Sequence, residues 1–360
     1  MADNSHNKAD YQSIDVASSP DRVSFAKPCT SVDPTTQPEE LQQQGTTVTD
    51  MFIENASSDK SETNQDDTDM KSFLTPDQTV VDLNHCRIQR IEGCEILENV
   101  ESLGLRNNLI KKLENLERLT SLRELELYDN QITKIENLDS LVNLEILDLS
   151  FNRITQIENL NNLVNLKKLY LINNRISKIE NLDNLVNLET LELGSNKIRV
   201  IENLDCLKNL HSLFLGKNKI TRLQNLDKLE NLKLFSIQSN RLTKIEGLDE
   251  LKNLEEIYVS HNGIEKIENL TNNINLQNLD ISNNRIERLE NIGHLINLLE
   301  LWANDNKISS WKDLEILKNF PKLETVYFER NPIANDPMYR KKIVLLAPHL
   351  KQIDALLCKN

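Results

Sequence analysis

Apolar residues recur along most of this chain with a spacing of 22. Residues 144–152, LEILDLSFN, show the unit: Leu144, Leu147 and Leu149 are apolar, Asp148 stands between two leucines, and Asn152 follows. The alternation predicts a short strand that turns Leu147 and Leu149 inward and Asp148 outward. Beyond it, Ile154, Ile157, Leu160 and Leu163 follow at spacings of three before Leu166 opens the next copy. That spacing suits tight 3₁₀-like turns, not long α-helices. The asparagine falls where the chain leaves the strand, and its amide can satisfy buried backbone groups there. Its position is held in turn by Cys86, Asn108, Asn130, Asn152, Asn174, Asn196, Asn218, Asn240, Asn262, Asn284, Asn306 and Asn331, which predicts twelve repeats.

The pattern L-x-x-L-x-L-x-x-N at this period is that of a leucine-rich repeat. The expected fold is of the α/β class: a curved solenoid of twelve repeats of about 22 residues, with a parallel concave sheet and short 3₁₀ turns on the convex side. No single unit can fold alone, and stacking buries its leucines against both neighbours. The last repeats depart from the period. The outward strand position steps by 25 from Trp302 to Tyr327, and Pro321 and Pro332 stand close by. After Asn331 come Tyr339-Arg340, Ile343, Pro348, Leu350, Ile353 and Asp354. These resemble the C-terminal cap of intracellular leucine-rich repeat proteins, which covers an open end of apolar core and unpaired edge. The expected division is a tail over 1–75, a solenoid over 76–335 and a cap over 336–360.

Residues 1–75 are a different material, with 14 Asp and Glu against 5 Lys and Arg and no sustained periodicity. Such a segment buries too little apolar surface to offset its ordering entropy and is expected to be disordered. Within it, Arg22-Val23-Ser24-Phe25 matches the R-V-x-F motif that adds an edge strand to the catalytic subunit of protein phosphatase 1. Four-residue matches also arise by chance, and Asp21 is less favourable than the basic residues often found there. Ser19-Pro20 and Thr75-Pro76 are candidate sites for proline-directed phosphorylation.

Charge and motif content narrow the function. The net charge of −14 argues against nucleic acid or an anionic membrane as principal partner. No apolar run approaches the roughly 18 residues needed to span a bilayer. The N-terminus does not read as a signal peptide. Cys29, Cys86, Cys94, Cys206 and Cys358 are scattered without paired or zinc spacing, which suits a reducing compartment. The six histidines form no ligand pattern, and no phosphate cradle or nucleophile elbow is present. No enzymatic activity, cofactor or metal is expected. The recurring Ile-Glu-Asn strings, as at Glu158-Asn159, account for most carboxylates by architecture.

The outward strand position carries the information. It holds Asp82, Gly104, Glu126, Asp148, Tyr170, Glu192, Phe214, Ser236, Tyr258, Asp280, Trp302 and Tyr327. Five of these twelve are aromatic, in a chain that is 4% aromatic, and five are acidic. Exposed rings beside carboxylates predict interface anchors beside orienting charges.

Several stretches carry a closer likeness: SLRELELYDNQI (121–132), LELGSNKIRVIEN (191–203), LFLGKNKIT (213–221), QSNRLTKIEGL (238–248) and LETVYFERNP (323–332). In these the chain resembles the leucine-rich repeat regulatory subunits of protein phosphatase 1, over about residues 78–360. The resemblance implies a non-catalytic subunit that binds the phosphatase catalytic subunit through its concave face, with or without a third regulatory subunit. It further implies roles in maturation, activity or localisation of the phosphatase and in chromosome segregation, in nucleus and cytoplasm. Carried over by position, the contact residues are Asp148, Tyr170, Glu192, Phe214, Asp280, Glu300, Trp302 and Tyr327. At Tyr170 the family favours Phe, so its hydroxyl must be accommodated. A structural adaptor of cilia or microtubule motors is the alternative.

Overall fold

The computed structural model describes residues 70–358; the Arg22-Val23-Ser24-Phe25 motif, Ser19-Pro20 and most of the tail lie outside them. Twelve three-residue strands succeed one another in parallel, each hydrogen-bonded to the next. They are β1 (Val80–Asp82), β2 (Ser102–Gly104), β3 (Glu124–Glu126), β4 (Ile146–Asp148), β5 (Lys168–Tyr170) and β6 (Thr190–Glu192). The series continues with β7 (Ser212–Phe214), β8 (Leu234–Ser236), β9 (Glu256–Tyr258), β10 (Asn278–Asp280), β11 (Glu300–Trp302) and β12 (Thr325–Tyr327). The register never slips: Leu125, Leu147 and Leu169 pair in line, as do Glu126, Asp148 and Tyr170. A one-residue slip would carry every core leucine to solvent, so burial on one face fixes the register.

Behind the sheet, each repeat turns through bonds between residues three apart. Leu163 N–H donates to Leu160 C=O and Leu166 N–H to Leu163 C=O, both at 3.0 Å. This is the 3₁₀-like geometry that the spacing predicts. The isoleucines and leucines of the unit line one continuous core; Leu147, Leu149, Ile154, Ile157, Leu160 and Leu163 are fully buried.

Asparagine holds the repeats together at three heights. Asn152 Oδ1 accepts Ile132 N–H at 2.9 Å, while its Nδ2 donates to Leu127 C=O at 3.0 Å in the preceding repeat. Asn159, in the Ile-Glu-Asn string, donates to Ile135 C=O at 2.7 Å. Asn165 donates to Val142 C=O at 2.9 Å. Cys86 holds this position in the first repeat, and its N–H donates to Asn108 Oδ1 at 3.1 Å.

The two ends differ from the sequence expectation in detail. Met70 and Leu74 are buried against the first repeat, with a 3₁₀ turn at Met70–Phe73. The folded unit therefore begins before the expected boundary at residue 75, because Met70, Phe73 and Leu74 place their apolar groups at helical spacing within a polar stretch. At the other end the step of 25 accommodates a 3₁₀ helix at Asp313–Asn319. The cap opens with Pro332–Asn335 and the only α-helix among the described residues, α1 (Tyr339–Leu346). It closes with two strands that the pattern did not disclose. β13 (Gln352–Ile353) pairs parallel to β12, and β14 (Leu356–Leu357) returns antiparallel.

Asp354 organises this end. Its Oδ1 accepts Phe328 N–H at 2.8 Å and Glu329 N–H at 3.0 Å, and its Oδ2 accepts the Tyr339 hydroxyl at 2.9 Å. Arg340 donates to the carbonyls of Ile353, Leu356 and Leu357, which ties α1 to the hairpin.

Candidate functional site: the concave sheet face

Strand alternation places Asp148, Tyr170, Glu192 and Phe214 at matching positions of four adjacent strands, each paired in register with the next. Asp280, Trp302 and Tyr327 occupy the same position on β10, β11 and β12. Glu300 shares their face at the other end of β11, where its Oε2 accepts the Trp302 indole N–H at 3.0 Å. All eight expected contact residues thus lie on one sheet face, in two groups separated by Ser236 and Tyr258.

The expectation that these rings and acids stand exposed needs correction. Asp148, Tyr170, Glu192, Phe214, Glu300 and Trp302 are half-buried, but Asp280 is 5% and Tyr327 6% exposed. Parallel strands lie about 4.8 Å apart, so neighbouring side chains in one column cover each other. Trp302 and Tyr327 meet edge-on with ring centroids 5.7 Å apart, and the Tyr327 hydroxyl accepts from Gln352 Nε2 at 2.6 Å. Tyr327 is therefore partly a strut for the cap, which sequence alone could not reveal.

The carboxylates sit in an unusual electrostatic setting. Glu126 pairs with Arg106, but among the described residues no cation is paired with Asp148, Glu192 or Asp280. Each takes a backbone hydrogen bond from its own strand end: Ser150 N–H to Asp148 at 2.9 Å, Gly194 N–H to Glu192 at 2.7 Å, and Ser282 N–H to Asp280 at 3.0 Å. Asp280 is also hydrogen-bonded by the Ser260 side chain of the preceding repeat. Burial raises the Asp148 and Asp280 carboxyls above the usual range, and it pushes Glu192 up to about 8. Burial also raises the Tyr170 hydroxyl, with Asp148 and Glu192 adding to the effect. A site of desolvated acids without an ion-pair partner gains most from a partner that brings a cation.

Other places offer less chemistry. A groove of about 310 Å³ lies away from this column, at the strand entrances, lined by Arg123, Glu145, Lys167, Glu189 and His211 with a row of asparagines. Glu145 there bonds both Arg123, at 2.5 Å, and Lys167, at 2.6 Å, so the groove is largely an ionic ladder. His85 and His261 fall just before the ladder position in left-handed conformation (φ 59° and 54°), which fixes them as turn residues. Cys94 is buried, and that burial pushes its thiol up to about 12, far from a nucleophile. Among the described residues no group of His, Cys, Asp and Glu could hold a metal ion, and no helix is long and apolar enough to cross a membrane.

Known proteins share parts of this architecture. The family described as Leucine Rich repeats (2 copies) matches residues 120–162, 142–184, 164–206 and 186–228. A second, described as Leucine-rich repeat, matches residues 250–359 and so includes the cap. Protein phosphatase 1 regulatory subunit 7 of Homo sapiens is 60% identical over 46 residues, 13% of each chain. Protein phosphatase 1 regulatory subunit SDS22 of Schizosaccharomyces pombe is 50% identical over 50 residues, 13% of this chain and 15% of that one. The matched segments thus span only about an eighth of the length of these relatives. Among solved structures, an internalin (inlF) from Listeria monocytogenes superposes with a TM-score of 0.61 at 25% identity, over 78% of this chain and 87% of that one. A leucine-rich repeat protein of Leptospira interrogans gives 0.61 at 24% identity, over 72% and 74%, which speaks to the fold alone.

Proposed function

Since the chain is a leucine-rich repeat protein, we propose that it acts as a non-catalytic regulatory subunit, binding the catalytic subunit of protein phosphatase 1 through its concave face. The observation that carries this reading is the column of rings and acids Asp148, Tyr170, Glu192 and Phe214 with Asp280, Glu300, Trp302 and Tyr327, half-buried except for the nearly buried Asp280 and Tyr327, its acids without an ion-pair partner among the described residues. Such a face matches a folded partner with basic side chains far better than a small molecule, because it is open, long and without an enclosed cavity. The short but close likeness to phosphatase regulatory subunits supports the choice of that partner. On this reading the chain controls the maturation, activity or localisation of the phosphatase, in nucleus and cytoplasm, with its rings as anchors and its acids setting orientation.

Calorimetry with the purified catalytic subunit and the full chain tests the proposal. A complex of one subunit each, with micromolar affinity or better, is the expected outcome. No heat at high concentration, together with capture of axonemal or motor components from a lysate, would overturn it in favour of the adaptor reading.

A further inference from the structure

Four of the five acids in the concave column share one local device. The carboxylate ending β1, β4, β6 or β10 accepts the backbone N–H two residues on. Asn84 N–H reaches Asp82 Oδ1 at 3.1 Å, Ser150 N–H reaches Asp148 Oδ1 at 2.9 Å, Gly194 N–H reaches Glu192 Oε1 at 2.7 Å, and Ser282 N–H reaches Asp280 Oδ1 at 3.0 Å. An aspartate is short enough to make this bond beside any side chain. A glutamate is one methylene longer, and its carboxylate must fold back over the second residue. A Cβ at position 194 would sit 2.7 Å from Glu192 Oε1, nearer than such carbons come. Glycine at 194 therefore lets a glutamate do what aspartates do elsewhere in the column. Glu126 makes the contrast: Tyr128 stands two residues on, and its carboxylate turns to Arg106 instead.

The bond fixes direction as well as place. Glu192 has one oxygen tied, and its other oxygen takes no hydrogen bond among the described residues. At Asp280 the buried Ser282 adds its hydroxyl as a second donor to the same Oδ1, at 2.7 Å, and the Ser260 side chain bonds the carboxylate as well. We propose that Gly194 and Ser282 are positioning residues of the concave site, each tying one oxygen of the carboxylate two residues before it and so fixing its direction; at Glu192 this leaves the other oxygen for the partner's cation. The proposal rests on the concave-face reading above and deepens it, because it names what orients the acids before a partner arrives. Preorganised acceptors spare the complex the cost of ordering them.

This arrangement has a readout that a merely structural role would not move. Beside Glu192, β5 places Tyr170 and Lys168 and β7 places Phe214 and Ser212, while the next carboxylate along the column is Asp148, two strands away. Held there by burial with its carboxyl at about 8, Glu192 keeps its proton at pH 7 in the free chain. A docked cation favours the charged form, so association releases protons and strengthens as pH rises toward that value.

Calorimetry of the full chain against the purified phosphatase catalytic subunit, at pH 7 in buffers of different ionisation enthalpy, yields affinity and proton release together. Gly194→Ala should lower affinity about 10-fold and reduce proton release to the level of Glu192→Gln, because its carboxylate is displaced into water. Ser282→Ala keeps the N–H and loses the hydroxyl, so its affinity should fall only about 3-fold. Thermal melts confirm that each variant is folded. In the free chain, carbon-13 titration of the Glu192 carboxyl should move down toward the ordinary glutamate value in Gly194→Ala. Unchanged affinity and proton release in Gly194→Ala, or an unmoved Glu192 titration, would overturn the positioning role. If the unaltered chain gives no heat with the subunit, the partner reading fails, and the free-chain titration still decides whether Gly194 sets the carboxylate.

Discussion

The ladder asparagines show how one side chain serves two repeats at once. Asn152 Oδ1 takes Ile132 N–H, and its Nδ2 serves Leu127, Leu149 and Ser150 carbonyls, all within 3.1 Å. Asn152→Ala should therefore cost about 2–3 kcal/mol in urea unfolding, since it strands buried donors and acceptors. Asn273 is the opposite case. It stands in a column otherwise held by leucines such as Leu229, Leu251 and Leu295, is fully buried, and leaves its Oδ1 without a partner. Its Nδ2 donates to Leu248 and Leu251 carbonyls, but these also accept Leu251 and Leu254 N–H groups, as in other repeats. Asn273→Leu should stabilise the chain by about 1–2 kcal/mol, raising the urea midpoint; a lowered midpoint would refute this reading. Glu192 adds a pH dependence. Its folded carboxyl titrates near 8, above that of an unfolded glutamate near 4.5, so the folded chain binds more protons between these values. Stability from this group is full below about pH 4.5 and is lost as pH rises through 8. Melts of Glu192→Gln across pH 5–8 should lack that part of the decline.

At the next level up, the strand, turn and ladder of each repeat were legible from spacing alone, because a period of 22 leaves few ways to bury Leu147, Leu149 and Ile154 together. A second recurring asparagine was visible as a string but had no stated cause. Asn115, Asn137, Asn159, Asn181, Asn203 and Asn225 all hold positive φ, between 57° and 60°, and Gly247 takes the same place at 67°. Asparagine enters this left-handed region more readily than other side chains, and glycine enters freely. The cap strands were not legible, since β13 and β14 have two residues each and no alternation to read. The turn between them is anchored by Asp354, which takes two backbone N–H groups and the Tyr339 hydroxyl. Asp354→Ala should lower stability by about 2–4 kcal/mol and expose the last repeat, seen as earlier proteolysis of the 336–358 segment. Unchanged proteolysis would show that the cap holds without it.

At the largest scale the described residues form a stack whose leucines face one way and whose candidate binding column faces the other, so substitutions in that column should leave stability largely untouched over most of its length. Binding and stability are least separable near the cap. The column itself could be read from the sequence, because the same repeat position is aromatic or acidic in every repeat from Asp148 to Tyr327 except at Ser236. Its degree of cover could not, because exposure depends on the neighbours that close strand spacing supplies; Asp280 and Tyr327 lie nearly buried where Trp302 does not. Trp302 is thus the cleaner probe and Tyr327 the poorer one, since the latter also supports Gln352. The measurement that bears most directly on the concave-face claim is phosphatase affinity by calorimetry for Trp302→Ala and for the convex variant Glu158→Ala, with melts on the same preparations. Trp302→Ala should lose about 2 kcal/mol or more of binding with little change in melting, as an aromatic anchor does, while Glu158→Ala binds as the unaltered chain. Equal affinity in the two variants would contradict the account, even with a complex still formed.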